Sequence, residues 1–107
     1  MRIRNEISKA TEEDLQFIAN TSDALAHPAR LKMLKYIMNA NQKLEKVYTK
    51  TLVEEFGYAQ ATVSQHMKIL KNANLVEIKK EYKYTLYYAD LGMLMKYLNE
   101  TKKYLNS

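Results

Sequence analysis

The sequence predicts one small domain, mainly α-helical and closed by a single β-hairpin (an α+β arrangement), and three observations predict it. The chain has 107 residues, too few for two independent cores. Between Thr11 and Asn72 apolar residues recur at helical spacing, punctuated by Pro28 and Gly57. After Asn74 the pattern changes to two runs rich in β-branched and aromatic residues, separated by Lys80-Glu81-Tyr82-Lys83.

Each element has a local reason. Thr11-Glu12-Glu13-Asp14 sets an N-cap hydroxyl before acids that suit the positive end of a helix dipole, so a first helix is predicted from there to about Ala26. His27-Pro28 ends it, because proline disfavours the helical conformation in the residue before it and is welcome in the first turn of the next helix. That second helix runs from Pro28 to about Ala40 with Leu31, Leu34, Ile37 and Met38 on one face. Residues 41–46 read as a polar surface connection to a short strand at Val47-Tyr48.

Thr51 and Glu54 have capping-box spacing and open a short helix containing Leu52, Val53 and Phe56, which Gly57 ends as a residue able to take positive φ. Gln60 to about Asn72 forms the next helix. Its inward side is Val63, Met67 and Leu70, and its opposite face is Ala61, Ser64, Gln65, Lys68 and Asn72, polar and almost free of acids. Leu75–Lys79 and Tyr84–Tyr88 are the strands of the hairpin, with Tyr84, Tyr87 and Tyr88 packing the sheet and a basic tip that lacks glycine. From Asp90 a last helix carries two apolar stripes, one of Leu91, Leu94, Met95, Leu98 and Leu105 and one of Met93, Tyr97 and Tyr104. A surface helix needs one buried stripe, so the tyrosine stripe is expected to meet a partner, most simply a second copy of the chain.

Composition narrows the function. With 47% hydrophobic residues the chain has the apolar content that disordered sequences lack. No apolar run approaches the roughly 18 residues that span a bilayer, and Met1-Arg2-Ile3-Arg4-Asn5-Glu6 leads into no signal-peptide core, so a cytoplasmic protein with no membrane partner is expected. The absence of cysteine rules out disulfides, thiolate ligands and thiol switches. No nucleophile–base pair, glycine-rich phosphate loop or spaced acid pair is found, so neither an enzyme nor a cofactor is expected. A net charge of +5 fits a polyanionic partner. The excess lies late in the chain: residues 1–26 hold three basic against five acidic residues, and residues 60–107 hold eight lysines against four acids. A phosphate-binding surface is therefore expected in the C-terminal half.

Two short helices joined by a glycine turn, the second polar outside and followed by a basic hairpin, make a winged helix-turn-helix. Leu25-Ala26-His27-Pro28-Ala29-Arg30-Leu31-Lys32-Met33-Leu34 resembles the opening signature of the ArsR/SmtB family of small repressors. Gln60-Ala61-Thr62-Val63-Ser64-Gln65-His66-Met67-Lys68-Ile69-Leu70, continuing to Ala73-Asn74-Leu75-Val76, is similar to that family's recognition helix and the start of its wing. The resemblance covers about residues 15–105. It implies one winged domain over 1–107, with the helix-turn-helix at 50–72, the wing at 75–88, and dimerisation helices at 1–26 and 90–107. It also implies a homodimer on double-stranded DNA, with Gln60, Thr62, Ser64, Gln65 and His66 at positions that meet the major groove.

The side-chain chemistry agrees. Glutamine pairs bidentately with adenine, serine and threonine serve bases or phosphates, and Lys68, Lys71, Lys79, Lys80 and Lys83 suit phosphates. Two departures are Ala59, where the family usually has a serine N-cap, and the glycine-free wing tip. The family's metal positions fall on Tyr48 and Lys50 in one site and on Asp90, Gly92, Lys103 and Asn106 in the other, which leaves one carboxylate and no metal site. His27 is read as a helix terminator and His66 as a packing or phosphate-contacting residue. The expected function is a sequence-specific transcriptional repressor on an inverted repeat; whether it answers to an effector is left open by the sequence, and a small-molecule or protein effector, if there is one, is expected at Tyr97 and Tyr104. The alternative is a winged-helix module that binds another protein, and the acid-poor helix face speaks against it.

Overall fold

The computed structural model describes the backbone of residues 2–106 and the side chains of residues 12–106. The order is α1 (Arg2–Leu25), α2 (Pro28–Gln42), α3 (Thr49–Phe56), α4 (Gln60–Asn72), β1 (Val76–Glu81), β2 (Tyr84–Ala89) and α5 (Leu91–Leu105). The first helix does not begin at Thr11 but runs through it from Arg2. Residues 2–10 contain neither proline nor glycine, so nothing stops the helix there. Glu12, Glu13 and Asp14 thus sit inside α1 instead of at its positive end. The Thr11 hydroxyl and the charges on Arg2, Arg4, Glu6 and Lys9 lie outside the described side chains.

Between α1 and α2, His27 does more than end a helix. Its backbone is extended (φ −146°) and its Nδ1 accepts the Ala29 N–H at 3.2 Å, which makes it the N-cap of α2, with Pro28 at the next position. The buried face of α2 is Ala29, Met33, Leu34 and Ile37. Leu31 points outward at 51% exposure and Met38 is only part-buried, so the buried face keeps Leu34 and Ile37 of the expected one but is shifted toward Ala29 and Met33. α2 closes with a Schellman motif in which Leu44 takes φ 61° while the Leu44 and Glu45 amides donate to Asn41 and Ala40.

Thr51 is the third residue of α3 and not its N-cap. Its Oγ1 reaches back to accept the Tyr48 N–H at 3.1 Å, and the N-cap, Tyr48, lies three residues earlier than expected. Gly57 ends α3 in the left-handed region (φ 73°), as its position required. A second Schellman motif ends α4: Asn74 has φ 61°, and the Asn74 and Leu75 amides bond Lys71 and Leu70 at 2.8 and 3.0 Å. That turn swings the chain directly into β1.

The two strands pair antiparallel, with Ile78 opposite Tyr87 and Glu81 opposite Tyr84. The hairpin turn is therefore only Tyr82-Lys83, and Lys80 stands in the strand instead of at the tip. Val47-Tyr48 adds a single bridge on the other edge of β2, where the Tyr87 N–H donates to the Val47 carbonyl at 2.9 Å. Tyr87 is buried, whereas Tyr84 is half exposed and lies edge-on to Tyr48. One core joins these parts: Met33 and Ile37 from α2, Leu52 from α3, and Val63, Met67 and Leu70 from α4 are fully buried together with Leu75, beside Val76 and Tyr87 of the hairpin. At about 1.5–3 kcal/mol for each such side chain, this packing holds α4 and the wing in one orientation.

α5 starts at Asp90, whose Oδ1 accepts the Met93 N–H at 2.9 Å. It lies along α1, with a 2.7 Å hydrogen bond between the Tyr97 hydroxyl and Ser22 Oγ and with Lys96 4.8 Å above the Phe17 ring. This departs from the expected division of the stripes, since Leu94 of the first and Met93 of the second both pack against the core. Met93 and Tyr97 face the chain's own helices, and Leu91, Met95, Leu98 and Leu105 remain exposed, Leu105 at 74%. The physical reason is Ser22, a polar partner on α1 that suits a tyrosine hydroxyl and no leucine.

Candidate nucleic-acid interface

α4 presents its polar side because its apolar side is committed to the core. Val63, Met67 and Leu70 are buried, so helical spacing turns Ala61, Ser64, Gln65, Lys68 and Asn72 outward, and all five are exposed. Gln60, Thr62 and Lys71 flank that face and are exposed too. No acid interrupts residues 60–72. Ala59 gives the helix no side-chain cap, as its departure from the serine pattern predicts.

The wing continues this surface. Lys79 and Lys80 stand exposed on β1, the first with its ammonium 5.3 Å from the Tyr88 ring centre and the second donating to Thr85 Oγ1 at 2.7 Å. Lys83 stands at the turn, 5.7 Å from the Tyr84 ring centre. Glu81, the acid nearest the tip, is paired at the surface: Lys46 Nζ binds its two carboxylate oxygens at 3.0 and 2.8 Å, and the Tyr48 hydroxyl donates to it at 3.5 Å. The hydrogen bond and charge of Glu81 raise the Lys46 pKa above its ordinary value. The wing therefore offers Lys79, Lys80 and Lys83 near its tip, with the tip acid Glu81 paired to Lys46 and the exposed Glu77 at the far end of β1.

A cleft of about 310 Å³ separates the wing from the helices, bordered by Tyr48, Thr49 and Lys50 of α3 and its cap, by Gln60, and by Lys83 and Tyr84. Lys50 thus joins Gln60 and Lys83 around one opening. Sequence reasoning missed it because position 50 was considered only as a failed metal ligand, although a lysine in the first turn of the helix preceding α4 was a readable signal. The residues at the other family metal positions do not form a ligand set either: Asp90 is occupied as the α5 cap, and among the described residues no group of three or more His, Asp or Glu side chains is placed to hold an ion.

His66 is the exception among the expected contact residues. It is half-buried between α4 and the α1–α2 junction, where Arg30 Nη1 meets its Nδ1 at 3.3 Å and the His27 ring centre lies 4.8 Å away. Burial first, and then the neighbouring His27 and Arg30, hold its pKa below the usual 6.5. Arg30 was not singled out in the sequence. Besides His66 it donates through Nε to the Ala24 carbonyl at 2.6 Å and through Nη2 to the Asp23 carbonyl at 3.4 Å, so it ties the end of α1 to α4.

An exposed helix of carboxamides and hydroxyls beside a lysine-rich hairpin has the chemistry for base edges and phosphates, and the comparisons with known proteins agree with it. A family model described as bacterial regulatory protein, arsR family, matches residues 27–77, from the α2 cap into the wing. Among curated proteins none matches the chain in sequence. Solved structures do. NolR from Sinorhizobium fredii superposes with a TM-score of 0.67 at 25% identity, covering 86% of this chain and 87% of its own. The homodimeric winged helix-turn-helix DNA-binding domain of Mb0332 from Mycobacterium bovis gives 0.67 at 21% identity over 78% and 74%. The transcriptional repressor BigR from Xylella fastidiosa gives 0.61 at 22% identity over 90% of each chain. Residues 27–77, the helix-turn-helix running directly into the wing, thus match the arsR family of bacterial regulatory proteins, and the chain as a whole carries the winged helix-turn-helix fold of ArsR-like regulators.

Proposed function

We propose that this chain is a homodimeric repressor that reads an inverted repeat in duplex DNA through α4 and braces on phosphates through the wing. One observation carries the reading: the acid-free exposed face of α4 and the lysines of the wing are held on one surface by a shared core. In this reading Gln60, Thr62, Ser64 and Gln65 approach base edges, and Lys50, Lys68, Lys71, Lys79, Lys80 and Lys83 approach the backbone. His66 supports the helix from behind. The domain 1–107 divides into a helix-turn-helix at 50–72, a wing at 75–88 and dimerisation helices at 1–26 and 90–107.

The exposed row of Leu91, Met95, Leu98 and Leu105 supports the dimer, since a chain this small leaves such a row uncovered at a cost. The homodimeric state of the Mycobacterium bovis domain supports it as well, and the repressor activity of BigR supports repression over activation. With tyrosine, lysine and glycine at the family's ligand positions, the regulator answers to something other than a soft metal. An organic molecule or a protein is the remaining class of effector.

The test is selection from a pool of random duplexes followed by a salt titration on the winner. Enrichment of an inverted repeat, with affinity falling about 10³–10⁵-fold between 50 and 200 mM salt for roughly 6–10 phosphate contacts, is the expected result. A pool that enriches no sequence would leave the protein-binding module as the better reading.

A further inference from the structure

Three helices, α1, α2 and α4, meet at Arg30. Its guanidinium donates to the last turn of α1 at Ala24 and Asp23 and reaches Nδ1 of His66 on α4, while the cap residue of α2, His27, stacks at a tilt on the same imidazole. The α1 carbonyls it uses belong to a helix end that otherwise has few donors for them. Arginine carries five donors and no acceptor, so the 3.3 Å contact is a hydrogen bond only when Nδ1 of His66 is a bare lone pair and the ring proton sits on Nε2. A protonated His66 has no acceptor to give, and it sets two cations against each other at that distance.

We propose that Arg30 is a positioning residue that holds the DNA-reading helix against the end of α1 through neutral His66, so that protonation of His66 releases the helix and weakens DNA binding. The inference rests on the DNA-binding reading above. The groups around the imidazole give the charge no home. From α2 and its cap come Arg30 and His27, both cationic or able to become so, and on α4 the residues one turn away, Thr62, Val63 and Leu70, are uncharged. From α1 comes Asp23, whose side chain is exposed and whose carbonyl is the part turned to Arg30. Burial and the two cationic neighbours lower the His66 pKa, so the folded chain binds fewer protons than the unfolded one. Its contribution to stability is complete above pH 6.5 and is lost as pH falls from there through the folded value.

The sign of the effect separates this mechanism from plain electrostatics. Acid adds positive charge to the protein, and simple attraction to phosphates then predicts tighter binding at low pH. The Arg30–His66 contact predicts the opposite. The experiment measures affinity for the duplex selected at pH 7.5, at pH 7.5 and pH 5.5 and constant ionic strength, with far-UV circular dichroism recorded on each sample. Wild type is expected to bind about tenfold more weakly at pH 5.5 while still folded, the range of one lost hydrogen bond to a charged group. His66→Gln keeps an acceptor for Arg30 without a titrating group, and its ratio between the two pH values is expected to be near one. His27→Asn keeps a capping oxygen and is expected to retain the acid loss.

Equal or tighter binding by wild type at pH 5.5 overturns the proposal whatever the variants do. So does a loss that follows unfolding, one that survives His66→Gln, or one that vanishes in His27→Asn. Failure of every duplex to bind at pH 7.5 overturns the DNA-binding reading itself, and this proposal with it.

Discussion

Gln65 and Lys83 separate two tasks of the proposed DNA-reading surface. Gln65 stands at the centre of the outward face of α4, where its carboxamide offers a donor and an acceptor side by side. Replacing it by alanine should cost about 1–3 kcal/mol of discrimination at one base pair of the selected site and little on random DNA. Lys83→Ala at the wing turn should weaken all sequences alike and reduce the salt slope by about one for each protomer. Competition titrations on specific and random duplexes check both, and equal losses on the two for Gln65→Ala would remove its base-reading role. The outward set on α4 was legible because three residues, Val63, Met67 and Leu70, fix the rotation of a helix once they are recognised as core. Arg30 was not legible. Its partner lies 36 positions away, and a single arginine in an amphipathic helix reads as a solvated residue until the fold brings His66 to it.

Elements were legible where punctuation is chemical. Pro28, Gly57 and Asn74 each mark a boundary that their backbone preferences demand, and α4 spans the predicted residues. α1 and α5 were harder: nothing in residues 2–10 stops a helix, and two apolar stripes on α5 look alike until Ser22 chooses the tyrosine. The wing turn carries its own strain, for Tyr82 holds φ 58° at 96% exposure. A left-handed residue other than glycine costs about 1–2 kcal/mol, so Tyr82→Gly should raise stability by a few tenths to about 1 kcal/mol in a thermal melt. A lower melting temperature would mean that the tyrosine ring contributes packing which its exposure does not suggest. On α5, Leu98 sits in the middle of the exposed row. Leu98→Glu should convert a species near twice 12.6 kDa into a monomer by sedimentation at micromolar concentration, with the fold retained, because no contact of the monomer's core is touched. Wild type that sediments as a monomer would refute the α5 interface.

At the scale of the whole molecule, the proposed dimer would turn one modest surface into a reader of two half-sites. Two α4 helices related by a dyad have to enter successive major grooves on one face of the duplex, about 34 Å or a multiple of it apart. The proposed reading gives zinc no part in that arrangement: Tyr48, Lys50, Gly92 and Lys103 stand at the positions where the resemblance places the family's ligands, so zinc titrated into a DNA-bound sample in metal-free buffer should leave the complex intact. Chelator-reversible release at submicromolar free zinc would reveal a ligand set absent from the described residues. No helix among those residues is long and apolar enough to cross a membrane. The measurement that bears most directly on the whole account is a hydroxyl-radical footprint of the protein on its selected duplex, with stoichiometry determined on the same sample. Two protected half-sites one helical turn or a multiple apart, inverted in sequence and bound by two chains, are the predicted result. Protection of a single half-site by one chain, or uniform protection without sequence, would contradict it.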